Sequence, residues 1–94
     1  MFTGIVEEMG RVTSVPAPGR AGRLAIKASR VLEGTRIGDS IAVNGVCLTA
    51  TELLPDGFAA DVMPQTLSHS NLGALRAGSP VNLERAMAAD GRFG

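Results

Sequence analysis

Between Ser40 and Thr51 the chain reads Ser-Ile-Ala-Val-Asn-Gly-Val-Cys-Leu-Thr-Ala-Thr, and the central Asn44-Gly45 pair constrains the fold more than any other feature. A two-residue hairpin loop of type I′ needs positive φ at both central positions, which Asn and Gly adopt at least cost. A loop of that length fixes the register: Val43 faces Val46, Ala42 faces Cys47, Ile41 faces Leu48 and Ser40 faces Thr49. Ile41, Val43, Val46 and Leu48 then share one face, a core face. The other face carries Ser40, Ala42, Cys47, Thr49 and Thr51. Those side chains are small and mostly able to hydrogen-bond, with no charge among them. A row of that kind marks a candidate wall for a ligand.

The flanking segments follow the same short-strand pattern. Twelve Gly and five Pro punctuate the 94 residues. Phe2 to Val15 reads as β-rich, with bends or bulges at Gly4 and Gly10. Leu24 to Ala28 alternates as a strand does, and Ser29 to Glu33 reads as one helical turn capped by Ser29 and stopped by Gly34. Pro55-Asp56-Gly57 is a second turn signal. It delivers a strand with Phe58, Ala60 and Val62 on one face and Ala59, Asp61 and Met63 on the other, ended by Pro64. Gln65 to Leu75 predicts one or two short helical turns. Val81 to Arg85 is the last strand, and Ala86 to Gly94 a short helix or a tail. About six short strands at spacings of about ten residues predict an all-β domain, a small antiparallel barrel or sandwich. Barrel closure would remove the exposed edges of such strands.

Composition narrows the partners. Nine basic residues balance nine acidic ones, for a formal net charge of zero. Nucleic acids and acidic membranes both want a basic excess, so neither is expected as a partner. With three Phe, no Tyr and no Trp, the core must be aliphatic. A single cysteine excludes an internal disulfide and any cysteine-based zinc cluster. No apolar run approaches the ~18 residues of a membrane span, and a cytoplasmic location is the default expectation. A lone strand cysteine such as Cys47 is ordinarily a small buried hydrophobe; its register beside Thr49 opens a second reading, a thiol facing a ligand. His69 reads as a surface or capping residue, and no second ligand at suitable spacing suggests a metal. Gln65-Thr66, after a strand end and a proline, could meet a ligand or simply cap a helix. Asn82 could face solvent or a barrel mouth.

The motifs together are recognisable. Met1-Phe-Thr-Gly-Ile-Val-Glu-Glu8, Val43-Asn-Gly-Val-Cys-Leu-Thr-Ala-Thr-Glu52, Met63-Pro-Gln-Thr-Leu67, Ser70-Asn-Leu-Gly73 and Val81-Asn-Leu-Glu-Arg-Ala86 resemble, in order, the N-terminal half of riboflavin synthase. The resemblance implies a six-stranded antiparallel Greek-key β-barrel. Family members join two such barrels to a C-terminal helix and work as homotrimers. They dismutate two molecules of 6,7-dimethyl-8-ribityllumazine into riboflavin and a diaminopyrimidine, with no metal or separate redox cofactor. The active site lies between barrels of neighbouring subunits.

On that resemblance, Ser40, Cys47 and Thr49 form a wall of the lumazine pocket, and Thr3, Gly4, Ile5 and Val6 another. Val62, Met63, Gln65 and Thr66 supply apolar packing and hydrogen bonds to the ligand. Phe2, Ser40 and Cys47 stand as candidates near the reacting atoms. Two departures matter. Gln65 replaces the usual Glu of an "ETL" run, an expected cost of about 1 kcal/mol for the weaker hydrogen bond. The family also continues past Gly94 into a second barrel, so residues 1–94 are expected to be a single lumazine- or riboflavin-binding barrel without its partner half. Such a domain would bind ligand with little or no turnover, as a homodimer. The alternative is a non-catalytic lumazine- or flavin-binding fluorescent-protein relative.

Overall fold

The Asn44-Gly45 turn forms with φ of 50° and 84°, and the strands on either side of it, β3 (Ser40–Val43) and β4 (Val46–Leu54), pair in the register that the loop length dictates. Ser40 lies opposite Thr49, Ile41 opposite Leu48, Ala42 opposite Cys47 and Val43 opposite Val46. The structure, a computed structural model, describes residues 2–17, 21–68 and 70–86. Around the hairpin stand β1 (Glu8–Ser14), β2 (Gly22–Lys27), β5 (Gly57–Val62) and β6 (Pro80–Arg85). They close a barrel in the order β1-β2-β5-β4-β3-β6, with antiparallel neighbours throughout. Strands β3, β4 and β5 follow one another as hairpins, and β2 lies beside β5, which is the Greek-key arrangement.

The interior is aliphatic, as three aromatic residues in 94 require. Phe58 on β5 is its largest fully buried side chain, packed with Leu24 and Ile26 of β2, Ile41 of β3 and Leu83 of β6. Two turns of helix plug the ends: a 3₁₀ turn at Arg30–Leu32 buries Val31, and a second at Asn71–Ala74 buries Leu72. The helix α1 (Pro64–Ser68) precedes the second turn.

Three expectations need correction. Residues 2–7 are not strand; β1 begins at Glu8, and the segment before it lies against β6 through Glu7 N–H to Leu83 O, 2.8 Å. Gly10 is not a bulge. It pairs regularly with Val81, and a Cβ there would stand 2.6 Å from the Leu83 side chain; the ladder shifts instead between Val12 and Ser14. Ser29 does not cap the first 3₁₀ turn with its side chain. Glu8 does so from β1, accepting Ser29 N–H (2.8 Å), Ser29 O–H (3.1 Å) and Val31 N–H (3.0 Å). The reading of 86–94 as helix or tail, and that of His69, fall outside the described residues apart from Ala86.

Two predictions follow from these contacts. A Cβ on Gly57 would overlap the Ile26 carbonyl oxygen of the neighbouring strand, so Gly57→Ala should cost about 3 kcal/mol, at the upper end of overpacking penalties. Gly45→Ala has open space and only the positive-φ penalty, about 1 kcal/mol; urea unfolding of the two variants compares them. Burial alone would raise the Glu8 carboxyl, but the Val31 and Ser29 donors outweigh it and hold the pKa below 4.5. The unfolded chain therefore binds the extra proton first as pH falls. The Glu8 contribution is fully present above pH 4.5 and is lost as pH drops through the lower folded value. Glu8→Gln should remove about 1 kcal/mol at pH 7, the usual worth of a cap, and flatten that part of the acid-unfolding profile.

Candidate functional site

The outward face of the β3–β4 hairpin carries the polar row. Cys47 is exposed, which overturns its reading as a buried hydrophobe. Alternation along β4 buries Leu48 and Ala50 and turns Cys47, Thr49 and Thr51 outward. Ser40, half-buried, sits across from Thr49, and Ala42 across from Cys47. On the other side of β3, Ala42 pairs with Glu84 of β6. Glu84, Ala42 and Cys47 thus form one rank on the outside of the barrel, and Ser40 and Thr49 the next.

Over this face runs the segment of residues 2–7. The Glu84 carboxylate accepts Thr3 N–H (2.6 Å) and Thr3 O–H (2.7 Å) on one oxygen and Gly4 N–H (3.1 Å) on the other. Desolvation pushes its pKa up and the negative charge of Glu7 adds to that, yet the three bonds prevail and the net shift is downward. Gly4 has φ of +82°, which lets the chain bend there without strain. Three residues further on, Glu7 forms a salt bridge with Arg85 at 2.8 Å, and Arg85 also donates to the Glu33 carbonyl at 2.7 Å. The Glu7 hydrogen bonds raise the Arg85 pKa. Between the two anchor points Ile5 and Val6 are 69% and 50% exposed. Both apolar side chains are thus held out in water at a fixed place. Phe2, half-buried, precedes them.

A groove of about 380 Å³ opens between this segment and the hairpin, lined by Gly4, Val6, Ala42, Asn44, Asn82 and Glu84 among others. Sequence reasoning left out Glu84 and Asn44 and did not decide Asn82. The alternation Val81-Asn82-Leu83-Glu84 marks Glu84 only as outward-facing, and nothing local shows what covers it. Asn82 is exposed, and its N–H donates to the Asn44 side chain at 2.8 Å. Of the sequence-derived candidates, Gly4 and Val6 line this groove, whereas Ser40, Cys47 and Thr49, the 57% exposed Met63, and Gln65 and Thr66 on α1 do not. The Thr66 amide closes the helical turn onto Met63 O at 3.0 Å. Val62 departs from its expected role: its side chain is 2% exposed and belongs to the core. A larger groove of about 570 Å³ on β1 and β2 touches none of the candidate residues. Its Glu8 and Arg11 are already engaged by backbone groups, Arg11 at Gly78 O. The smaller groove is the better candidate. Among the described residues, no group of three His, Cys, Asp or Glu is placed to hold a metal ion, and no helix is long and apolar enough to cross a membrane.

Apolar side chains for the faces of a ring and hydroxyls for its edges suit a planar polar heterocycle. Residues 3–86 match the model of the lumazine binding domain. The chain belongs to this family. Riboflavin synthase of Bacillus subtilis is 55% identical over 94 residues, which is all of this chain and 44% of that protein. Riboflavin synthase of Mycobacterium bovis is 60% identical over 95 residues, again all of this chain and 47% of that protein. The lumazine-binding domain described here therefore spans a little under half the length of these relatives. Among solved structures, LumP complexed with 6,7-dimethyl-8-(1'-D-ribityl) lumazine superposes with a TM-score of 0.83 at 28% identity, covering 100% of this chain and 50% of that one. LumP complexed with riboflavin gives 0.81 at 29%, covering 90% and 46%.

The outward placement of Cys47 has a direct check. Its thiol should alkylate completely with iodoacetamide in the folded domain, without denaturant; a thiol that reacts only after unfolding would put β4 in the opposite register.

Proposed function

We propose that this domain is the N-terminal lumazine-binding barrel of a riboflavin synthase. The whole protein would then dismutate two molecules of 6,7-dimethyl-8-ribityllumazine, moving a four-carbon unit from one to the other to give riboflavin and a diaminopyrimidine. The observation that carries the reading is the outward row Ser40, Cys47 and Thr49 beside the anchored Thr3–Val6 segment, on a chain 55% identical to such an enzyme. In this reading Ser40 and Thr49 bond the edge of the heterocycle, Ile5, Val6 and Met63 cover its faces, and Gln65 and Thr66 reach the ribityl hydroxyls. Val62 contributes through its backbone. Phe2, Ser40 and Cys47 stand nearest the reacting ring. Lumazine and riboflavin are ligands of the site, and the chemistry needs no further cofactor. A cytoplasmic setting suits a surface of zero net charge with an exposed free thiol.

Half an active site binds without turning over, so the 94-residue chain alone is a binding domain with little or no activity. Two copies paired by a two-fold axis would cover the apolar Ile5, Val6 and Met63 and bring two ligands together, which favours a homodimer. The similarity to LumP supports a second reading, a non-catalytic lumazine- or flavin-binding protein. The higher identity to the riboflavin synthases favours the first.

Titration with riboflavin, followed by flavin fluorescence, tests the binding; with no Tyr or Trp the protein adds almost no background. Saturable binding is expected, with no conversion of the lumazine by the same sample. Thr49→Ala and Thr66→Ala should each weaken binding about tenfold, one lost hydrogen bond. Unchanged affinity in both variants would remove the site from this face.

A further inference from the structure

Residues 2–6 take part in no strand ladder, yet Thr3, Gly4, Ile5 and Val6 make up a whole wall of the proposed site. Something other than sheet pairing has to hold that wall at the right height. The inner end of the segment is tied by Glu7 to Leu83 and Arg85. The outer end is tied by Glu84 alone among the described hydrogen bonds, through Thr3 and Gly4. A secondary bond within the segment, Ile5 N–H to Thr3 Oγ1 at 3.2 Å, passes that anchorage on to Ile5. Glu84 is 8% exposed, and both carboxylate oxygens are occupied by segment donors.

We infer that Glu84 is the positioning residue of the ligand site: it acts on the ligand through the Thr3–Val6 segment, by fixing where that wall stands over the β3–β4 hairpin. The chemistry favours a carboxylate here over its amide. Three donors converge on two oxygens, and an ionised carboxyl is acceptor-only. Gln in its place would turn an NH₂ group toward Thr3 or Gly4 N–H, donor against donor, and release one end of the segment. Protonation of Glu84 would do the same. The charged groups around it are Glu7, whose negative charge opposes its ionisation, and its chain neighbour Arg85, bonded to Glu7. From β3 it faces Ala42, which carries no charge. The downward shift of the Glu84 carboxyl agrees with a group whose ionised form is held by its donors.

The inference rests on the proposed binding of riboflavin, and the test separates the two. Riboflavin dissociation constants are measured for the unaltered chain, Glu84→Gln, Thr3→Pro, which removes both Thr3 donors, and the double variant. Each single change is expected to weaken binding about tenfold, the worth of one charge-assisted bond. The double variant should be no weaker than the singles within about twofold, because both break one link. The affinity of the unaltered chain should also fall as pH drops through the Glu84 value, which its donors hold below the ordinary 4.5, while Glu84→Gln shows no such fall; a loss of packing alone would leave the two profiles parallel. Thr3 lies outside the barrel, so if Glu84→Gln fails to fold, Thr3→Pro alone must reproduce both the affinity loss and the flat profile. Unchanged affinity in the single variants, or a hundredfold loss in the double, overturns the positioning role while leaving the binding function intact. An unaltered chain that binds no riboflavin overturns the functional reading, and the inference with it.

Discussion

Asn44 joins two constraints at one residue. Its positive φ makes the turn that sets the β3–β4 register. Its own N–H then donates to Asn82 O at 2.8 Å, and its side-chain oxygen accepts Asn82 N–H at 2.8 Å. The turn is therefore docked on β6, the strand that closes the barrel between β3 and β1. Shifting the hairpin by one residue would turn Ile41, Val43 and Leu48 out and Cys47 and Thr49 in. It would also detach the turn from β6. The inner packing, the outer polar row and barrel closure all depend on the same two-residue loop.

That coupling explains how so small a domain can offer a polar wall. The core is complete with aliphatic side chains and Phe58, so the outward face of β4 is free to carry Cys47 and Thr49 without weakening the interior. The cost appears elsewhere, in Ile5, Val6 and Met63 exposed to water. Scattered apolar residues on a surface are ordinary. Here three of them flank the polar row, and two are held in place by ion-paired and hydrogen-bonded neighbours.

Local rules reached the hairpin because a two-residue loop leaves one register, and they reached Cys47 and Thr49 because strand alternation has period two. The Phe58, Ala60 and Val62 face and the short helical turns after Pro64 were legible for similar reasons. The same alternation puts the Val62 side chain in the core, where the family resemblance had suggested a ligand contact. What local rules did not reach was contact between distant polar residues. Glu8 caps a turn 21 residues later, displacing Ser29 from that role. Glu84 meets Thr3 across a separation of 81 residues. The bulge between Val12 and Ser14 has no Gly to announce it, while Gly10, which looked like one, is required by close packing against Leu83.

The position of β6 bears on how the chain is made. Among the described residues it is the last strand in sequence, yet in space it lies between β1 and β3 and receives the segment that precedes β1. During synthesis, everything up to Leu75 can be present while β1 and β3 still expose open edges, the surfaces most prone to wrong pairing. Closure waits for residues 80–85 to emerge and then forms contacts of very high sequence separation at once, a topology that folds slowly. The nascent barrel is thus most vulnerable to aggregation just before its final strand arrives. A slower ribosome over that stretch would lengthen the interval.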